Sequence, residues 1–157
     1  MIILGIDPGT SIIGFGVIKK EGKSQKLQVI DYGCICPPSR LSAAQKLKFV
    51  YLKLGLLIKK HKPDIVAVED IFFFKNLKTA IKVSQARGVI LLAAMQKNTE
   101  IKEFTPLQIK QAVACYGRAE KAQVQKMVKS LLGLNEIPRP DDAADALAVA
   151  ICCAHSI

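Results

Sequence analysis

Short apolar runs in the first third of the chain predict three strands. Residues 2–6 form an apolar run that ends at Asp7 and a Pro-Gly pair, the pattern of a buried strand stopped by a turn. Residues 12–19 and 26–35 predict two more strands, joined by a hairpin turn at 21–23. Three consecutive strands with short connections predict an antiparallel meander.

After the meander, helical and strand patterns alternate. Two more strands are predicted at 64–69 and 101–104. Helices are predicted at 41–60, 76–97, 106–115, 120–132 and 141–155. The first, fourth and fifth strands are linked through helices and should run parallel, while the hairpin adds an antiparallel edge. We therefore expect an α/β fold with a mixed five-stranded sheet and helices on both faces.

Composition limits the size of the fold and its kind of partner. The chain has 157 residues, half of them hydrophobic, which suits a single domain over residues 1–157. No apolar run reaches membrane-spanning length, so no membrane partner is expected. Its 23 Lys and Arg against 13 Asp and Glu give a formal charge of +10, which favours an anionic partner such as nucleic acid. A merely basic domain would carry the same charge.

The cysteines point to a reducing compartment. There are five, an odd number, and no C-x-x-C pair occurs, so we expect reduced thiols and a cytoplasmic location. Cys152, Cys153 and His155 resemble part of a zinc site but lack a fourth ligand at a suitable spacing. We expect these cysteines to serve as small apolar residues of the terminal helix.

Four acids stand where the predicted elements bring them together. Asp7 and Glu69 end the first and fourth strands, and parallel neighbours would present both carboxylates at the same sheet edge, where open α/β sheets bind ligands. Asp142 and Asp145 are three residues apart and share one face of the last helix. The alternative is that Asp141 or Asp142 only caps that helix and Asp145 complements its dipole.

Converging carboxylates favour a bound cation. They repel one another and raise their own pKa values, and a divalent cation removes that cost. Ligands that are all oxygen suit Mg²⁺ or Mn²⁺ better than zinc. Two such ions can stabilise both the attacking water and the leaving oxygen in phosphodiester hydrolysis.

The ordered set of motifs around these acids resembles the RuvC family of Holliday junction resolvases. The matching stretches are ILGIDPGT at 3–10, AVEDIF at 67–72, KN at 75–76, QARGV at 85–89, AEKAQVQKMV at 119–128 and DAADALAVAI at 142–151. This resemblance implies an RNase H-like fold and a two-fold homodimer that nicks opposing strands of a four-way DNA junction with Mg²⁺. It also implies a branch-migration helicase complex as a partner.

The resemblance assigns residues as well. It places the catalytic and metal-binding acids at Asp7, Glu69, Asp142 and Asp145, although some relatives have histidine in place of Asp142. It places DNA contacts at Phe72, Lys75, Lys110 and Lys121. The neighbouring Phe73 and Phe74 compete with Phe72 for the role of the aromatic ring at the junction.

Three other functions stay open on the sequence. Residues 7–10 also resemble the first phosphate loop of the actin, hexokinase and Hsp70 ATPases, but those proteins close two such domains around ATP, and no second Gly-rich loop is present. A catalytically inactive DNA-binding module would have the same charge. A nuclease for RNA–DNA hybrids would have the same metal site.

One apolar helix segment suggests self-association. Residues 89–95 are apolar nearly all round, more than one core requires. We expect this helix to contribute to a dimer contact.

Overall fold

The computed structural model of the chain describes residues 1–22, 26–70 and 77–157, with the side chains of 77–79 left aside. The strands are β1 (Ile2–Asp7), β2 (Ile13–Lys20), β3 (Leu27–Ile35), β4 (Ile65–Glu69) and β5 (Glu100–Phe104). The helices are α1 (Ala43–His61), α2 (Leu77–Met95), α3 (Pro106–Ala114), α4 (Lys121–Leu131) and α5 (Asp141–His155). Each predicted element is present, with ends within about two residues of those expected from sequence signals.

The five strands form one mixed sheet in the order β3-β2-β1-β4-β5. The pairs β1–β2 and β2–β3 are antiparallel, whereas β1–β4 and β4–β5 are parallel. This arrangement confirms the predicted meander followed by parallel strands. It also brings the carboxyl ends of β1, β4 and β5 to one edge of the sheet.

Helices cover both faces, as predicted. Buried residues of α1 and α2 pack with Leu4, Val66 and Val68 on one face. Buried residues of α3, α4 and α5 pack with Ile3 and Ala67 on the other. Successive residues of a strand face opposite sides of its sheet, so neighbouring residues of β1 and β4 join different clusters.

Helix α5 lies directly against the sheet, because glycine gives it room. A Cβ atom added at Gly5 of β1 would lie 2.2 Å from the carbonyl oxygen of Ala146. Eleven residues of α5 are buried, among them Cys152 and Cys153, which confirms these cysteines as apolar residues of the terminal helix. All five cysteines are free thiols.

Local sequence signals set the helix ends. Ser42 caps α1 in a capping box with Gln45, and Thr105 does the same for α3 with Gln108. Helix α1 ends at His61, as the sequence predicted. The next residue, Lys62, takes a left-handed conformation before Pro63. Within the described part of the chain, no helix is both long and apolar enough to cross a membrane.

Candidate active site

Asp7 and Glu69 lie side by side at the carboxyl edge of the sheet. Strands β1 and β4 pair in parallel with Ile6 opposite Val68, so the next residues of both strands, Asp7 and Glu69, are neighbours. Both side chains follow the alternation that places Ile3 and Ala67 on the face covered by α5. The prediction that these two acids meet at one edge is therefore confirmed.

The carboxyl groups of Asp7 and Glu69 lie within hydrogen-bonding distance, and the pKa of each is raised. Burial, followed by the charges of Asp145 and Asp142, raises the pKa of Asp7 from 3.8 to about 6. Burial and the neighbouring Asp7 charge raise the pKa of Glu69 from 4.5 to about 8. Their hydrogen bond lowers the pKa of Asp7 and raises that of Glu69, so the protonated form is favoured more at Glu69 than at Asp7.

Helix α5 brings Asp145 to the same place. Its first turn starts after Pro140 and lies over β2, where Gly14 pairs with Asp7 in the sheet. A Cβ atom on Gly14 would lie only 1.9 Å from the carbonyl oxygen of Asp142. This close approach fixes the height of the first turn of α5 above the strand that flanks Asp7.

A lysine neutralises Asp145. Lys121 Nζ lies 2.8 Å from Oδ2 of Asp145 and 3.8 Å from Oδ2 of Asp141. Burial raises the pKa of Asp145, and the lysine opposes that rise without cancelling it. Although partial burial lowers the pKa of Lys121, the contact with Asp145 raises it more, so this lysine stays charged.

The acids and lysines enclose a cavity of about 280 Å³. Its polar lining consists of Asp7, Glu69, Asp145, Lys110 and Lys121. The charge of Lys110 lowers the pKa of Glu69, which shows that α3 also contributes a positive group. The cavity thus combines carboxylates with two lysines from different helices.

Asp142 is near this cavity but does not line it. Its charge raises the pKa of Asp7 and of Asp145, so it belongs to the same electrostatic cluster. The predicted grouping of four acids is thus observed for three in one cavity, with the fourth beside it.

The donor set fits a divalent cation. The carboxyl oxygens of Asp7, Glu69 and Asp145 form an all-oxygen donor set, which hard cations favour. In the described residues, no three His, Cys, Asp or Glu side chains are already arranged as a complete ligand set. Asp145 would complete such a set by turning from Lys121 toward Asp7.

Asp70 and Asp141, which are adjacent in sequence to Glu69 and Asp142, form ion pairs with arginines. Asp141 is the first residue of α5, and its Oδ1 lies 2.7 Å from Nη1 of Arg139. Asp70 leaves β4 and pairs with Arg87 of α2, which also contacts Glu103. Neither Asp70 nor Asp141 lines the cavity.

Phe72 and Lys75 lie outside the described residues, so their DNA contacts stay predictions. The sequence reasoning missed the pairing of Lys121 with Asp145 because the two residues lie on different helices. It also missed the contacts of Arg87 with Asp70 and Glu103. The available signal was the QARGV motif, which contains Arg87.

Comparison with known proteins identifies a family over nearly the whole chain. The family model described as crossover junction endodeoxyribonuclease RuvC matches residues 3–153. A relative from Halothermothrix orenii with that description is 58% identical over 156 residues, covering 99% of this chain and 93% of the relative.

Solved structures agree with the sequence comparison. The RuvC structure from Thermus thermophilus superposes with a TM-score of 0.90 at 35% identity, over 98% of this chain and 93% of that one. RuvC from the same organism in complex with Holliday junction substrate gives a TM-score of 0.91 at 34% identity, with the same coverage. Both likenesses extend over the sheet and the helices that position the cavity.

Proposed function

Because the chain belongs to the RuvC family of crossover junction endodeoxyribonucleases, we propose that it resolves four-way (Holliday) DNA junctions by nicking opposing strands symmetrically. The observation that carries this proposal is the cavity in which Asp7, Glu69 and Asp145 stand beside Lys110 and Lys121. Carboxylates suit a catalytic cation, and the lysines suit the phosphates of its substrate. Such an enzyme would act in recombination and DNA repair in the cytoplasm.

The finer part of the proposal concerns the metal. Asp7, Glu69, Asp142 and Asp145 would hold two Mg²⁺ ions, for which Mn²⁺ would substitute. When bound, such ions activate a water and stabilise the leaving oxygen in phosphodiester hydrolysis. The oxygen-only donor set and the raised pKa values of Asp7 and Glu69 support this assignment.

The protein's own groups bind and orient the substrate. Glu69, whose pKa is raised to about 8, would have to be deprotonated to serve as a ligand, because only the charged carboxylate coordinates a metal. Lys110 and Lys121 would bind non-bridging oxygens of the scissile phosphate. Lys121 can bind a phosphate oxygen once another cation neutralises Asp145, because the Lys121 ammonium then no longer has to compensate the charge of the Asp145 carboxylate.

Symmetric cleavage of a junction calls for two sites in matching orientation, which a two-fold homodimer supplies. In α2 the side chains of Leu92 and Met95 are 53% and 59% exposed, which leaves an apolar face available for a second copy of the chain. Phe72 and Lys75 would contact the DNA at the centre of the junction. A branch-migration helicase complex would deliver the junction to the enzyme.

The direct test incubates the protein with a synthetic four-way junction and with a linear duplex of matched sequence. We expect paired nicks in the junction with Mg²⁺, none without it, and weak or no cleavage of the duplex. Cleavage of an RNA–DNA hybrid in preference to the junction would contradict the proposal, as would tight junction binding without any nicking. ATP turnover without DNA would indicate a phosphotransferase.

Single neutral variants test the metal ligands. Asp7→Asn, Glu69→Gln, Asp142→Asn and Asp145→Asn should each abolish nicking and leave junction binding intact, because they remove a ligand and a negative charge. Asp141→Asn and Asp70→Asn are the matched controls, since Asp141 pairs with Arg139 and Asp70 pairs with Arg87. An inactive Asp141→Asn protein with an active Asp142→Asn protein would show that the ligand is the other acid.

A further inference from the structure

A second cavity, of about 300 Å³, lies at the same edge of the sheet as the carboxylates. Its walls come from α1, α2 and the turn between β1 and β2, whereas the carboxylate cavity is lined by α3, α4 and α5. The helices α1 and α2 cover the opposite face of the sheet from α3, α4 and α5. The two cavities therefore flank the β1–β2 turn on opposite faces.

The polar groups that the described residues contribute to the second cavity are all cationic or neutral. Lys46 of α1 and Lys82 of α2 line it together with Thr10, Ser11 and Gln85. Within the described ranges, no acid is part of the lining. Its floor is apolar, with Ile13 and Val50 almost fully buried, so the charged and hydroxyl groups form its polar rim.

Both lysines lack an acidic partner in the described part of the chain. The ion pairs found there involve neither Lys46 nor Lys82. Helix α1 begins at this cavity with Ala43, and its first turn contains no acid, so the positive end of the helix dipole adds to the two ammonium charges. Two unpaired lysines beside hydroxyl groups match the oxygens of a phosphate.

We infer that this cavity binds a backbone phosphate of the junction other than the scissile one. The inference rests on the proposed function, since that function supplies the DNA. Duplex DNA carries one negative charge per about 1.7 Å of its axis, so DNA bound at the carboxylates brings further phosphates past the same edge. Lys46 and Lys82 are positioned to hold one of them on the far side of the β1–β2 turn.

The β1–β2 turn is compact enough to let DNA pass. A Cβ atom at Gly9 would lie 2.0 Å from the carbonyl oxygen of Ile12, so the chain closes back on itself within four residues. Only glycine permits that approach, because any side chain would collide with the carbonyl group. A DNA strand that crosses this turn would contact the carboxylate cavity on one side and the Lys46–Lys82 cavity on the other.

The first experiment measures junction affinity over a salt series. Each phosphate contact that is lost lowers the slope of log K against log salt by about one unit, so the double variant Lys46→Ala/Lys82→Ala, which loses the one phosphate held between the two lysines, should reduce it by about one per bound subunit. The matched control is Lys59→Ala/Lys97→Ala, which removes the same charge from two exposed lysines of a cavity at the opposite edge of the sheet. Thermal unfolding checks that both proteins are folded.

The second experiment locates the phosphate. Single phosphates of the junction are replaced by neutral methylphosphonates outside the cut sites. At one phosphate position in each pair of symmetry-related junction strands, the replacement should weaken binding of the wild-type protein. The same replacement should leave binding of the Lys46→Ala/Lys82→Ala protein unchanged. Additive weakening at every position would overturn the inference, as would equal slopes for the double variant and its control.

Two further outcomes separate this inference from its premise. If the wild-type protein fails to nick junctions, the proposed function fails, while a reduced salt slope would still place a nucleic-acid phosphate between Lys46 and Lys82. If nicking proceeds but the slope is unchanged, the inference alone fails. Inorganic phosphate that shifts the NMR signals of both lysines, with junction binding unaffected, would assign a free-anion site and overturn it.

Discussion

Lys121 Nζ lies 2.8 Å from Oδ2 of Asp145, so a lysine of α4 neutralises a carboxylate of α5 inside the candidate active site. The sequence had assigned the lysine to DNA and the aspartate to metal, as separate functions. Their contact connects the two functions. If Asp145 binds a cation as proposed, that cation would free Lys121 to bind a phosphate.

Changing Lys121 to Met tests this connection. Without the lysine, the pKa of Asp145 should rise further above its ordinary value, because burial and the nearby carboxylates then act unopposed. Carbon-13 NMR titration of the aspartate carboxyl groups measures the change, and junction nicking should slow. The control is Lys126→Met, an exposed lysine of the same helix. An unchanged Asp145 titration in the Lys121→Met protein would contradict the prediction.

Stability should depend on pH through Asp7 and Glu69. Their folded-state pKa values, about 6 and about 8, lie above the ordinary values of 3.8 and 4.5. The folded protein holds these protons more tightly than the unfolded chain, so the stabilisation is complete below about pH 4 and is lost as the pH rises through 6 and 8.

Thermal unfolding from pH 4 to 9 without divalent ions should therefore show a falling Tm over that window. Asp7→Asn should flatten the fall, whereas Glu136→Gln, at an exposed acid outside the cavity, should leave it. Added Mg²⁺ should restore Tm at high pH, because a ligand of the folded state stabilises that state. A Tm that rises between pH 6 and 8 in metal-free protein would contradict this assignment of charge.

Gly14→Ala should displace the first turn of α5. The added methyl group would meet the carbonyl oxygen of Asp142 at 1.9 Å, so the helix must shift away from the strand. We expect a loss of about 1–3 kcal/mol in the free energy of unfolding by urea, and loss of nicking in the folded protein.

Gly55→Ala serves as the matched control for that variant. Gly55 lies in α1, where a Cβ atom meets nothing within 4 Å, so alanine should stabilise the protein by roughly 1 kcal/mol. Wild-type stability and activity in the Gly14→Ala protein would show that the approach of α5 to β2 is not fixed.

Leu92→Asp should disrupt the proposed homodimer. Leu92 is 53% exposed on α2, so a charge there should cost the monomer little but would be buried in a dimer contact. Sedimentation velocity at micromolar concentration should show a dimer for the wild type and a monomer for the variant. Leu107→Asp, at an α3 leucine that is 62% exposed, should stay dimeric. A wild-type monomer, or equal behaviour of both variants, would remove α2 from the interface.

The sequence alone determined the fold and the edge at which the acids meet. Short apolar runs and helical spacing predicted the strands and helices, because a strand covered on both faces is apolar throughout, whereas a helix packed on one face is apolar at helical intervals. Parallel pairing of β1 and β4 then placed Asp7 and Glu69 at one edge, since both residues end their strands. The motif set that resembles RuvC predicted the family that the comparisons confirm.

Only the tertiary structure decided how charges pair across elements that are distant in the chain. The contacts of Lys121 with Asp145 and of Arg87 with Asp70 depend on the packing of helices against other elements, which no local pattern records. The same holds for the cavity between Lys46 and Lys82, formed where α1 and α2 meet the β1–β2 turn. Hydrophobic periodicity reports which face of an element is buried, whereas the neighbours of a polar side chain are set by long-range packing.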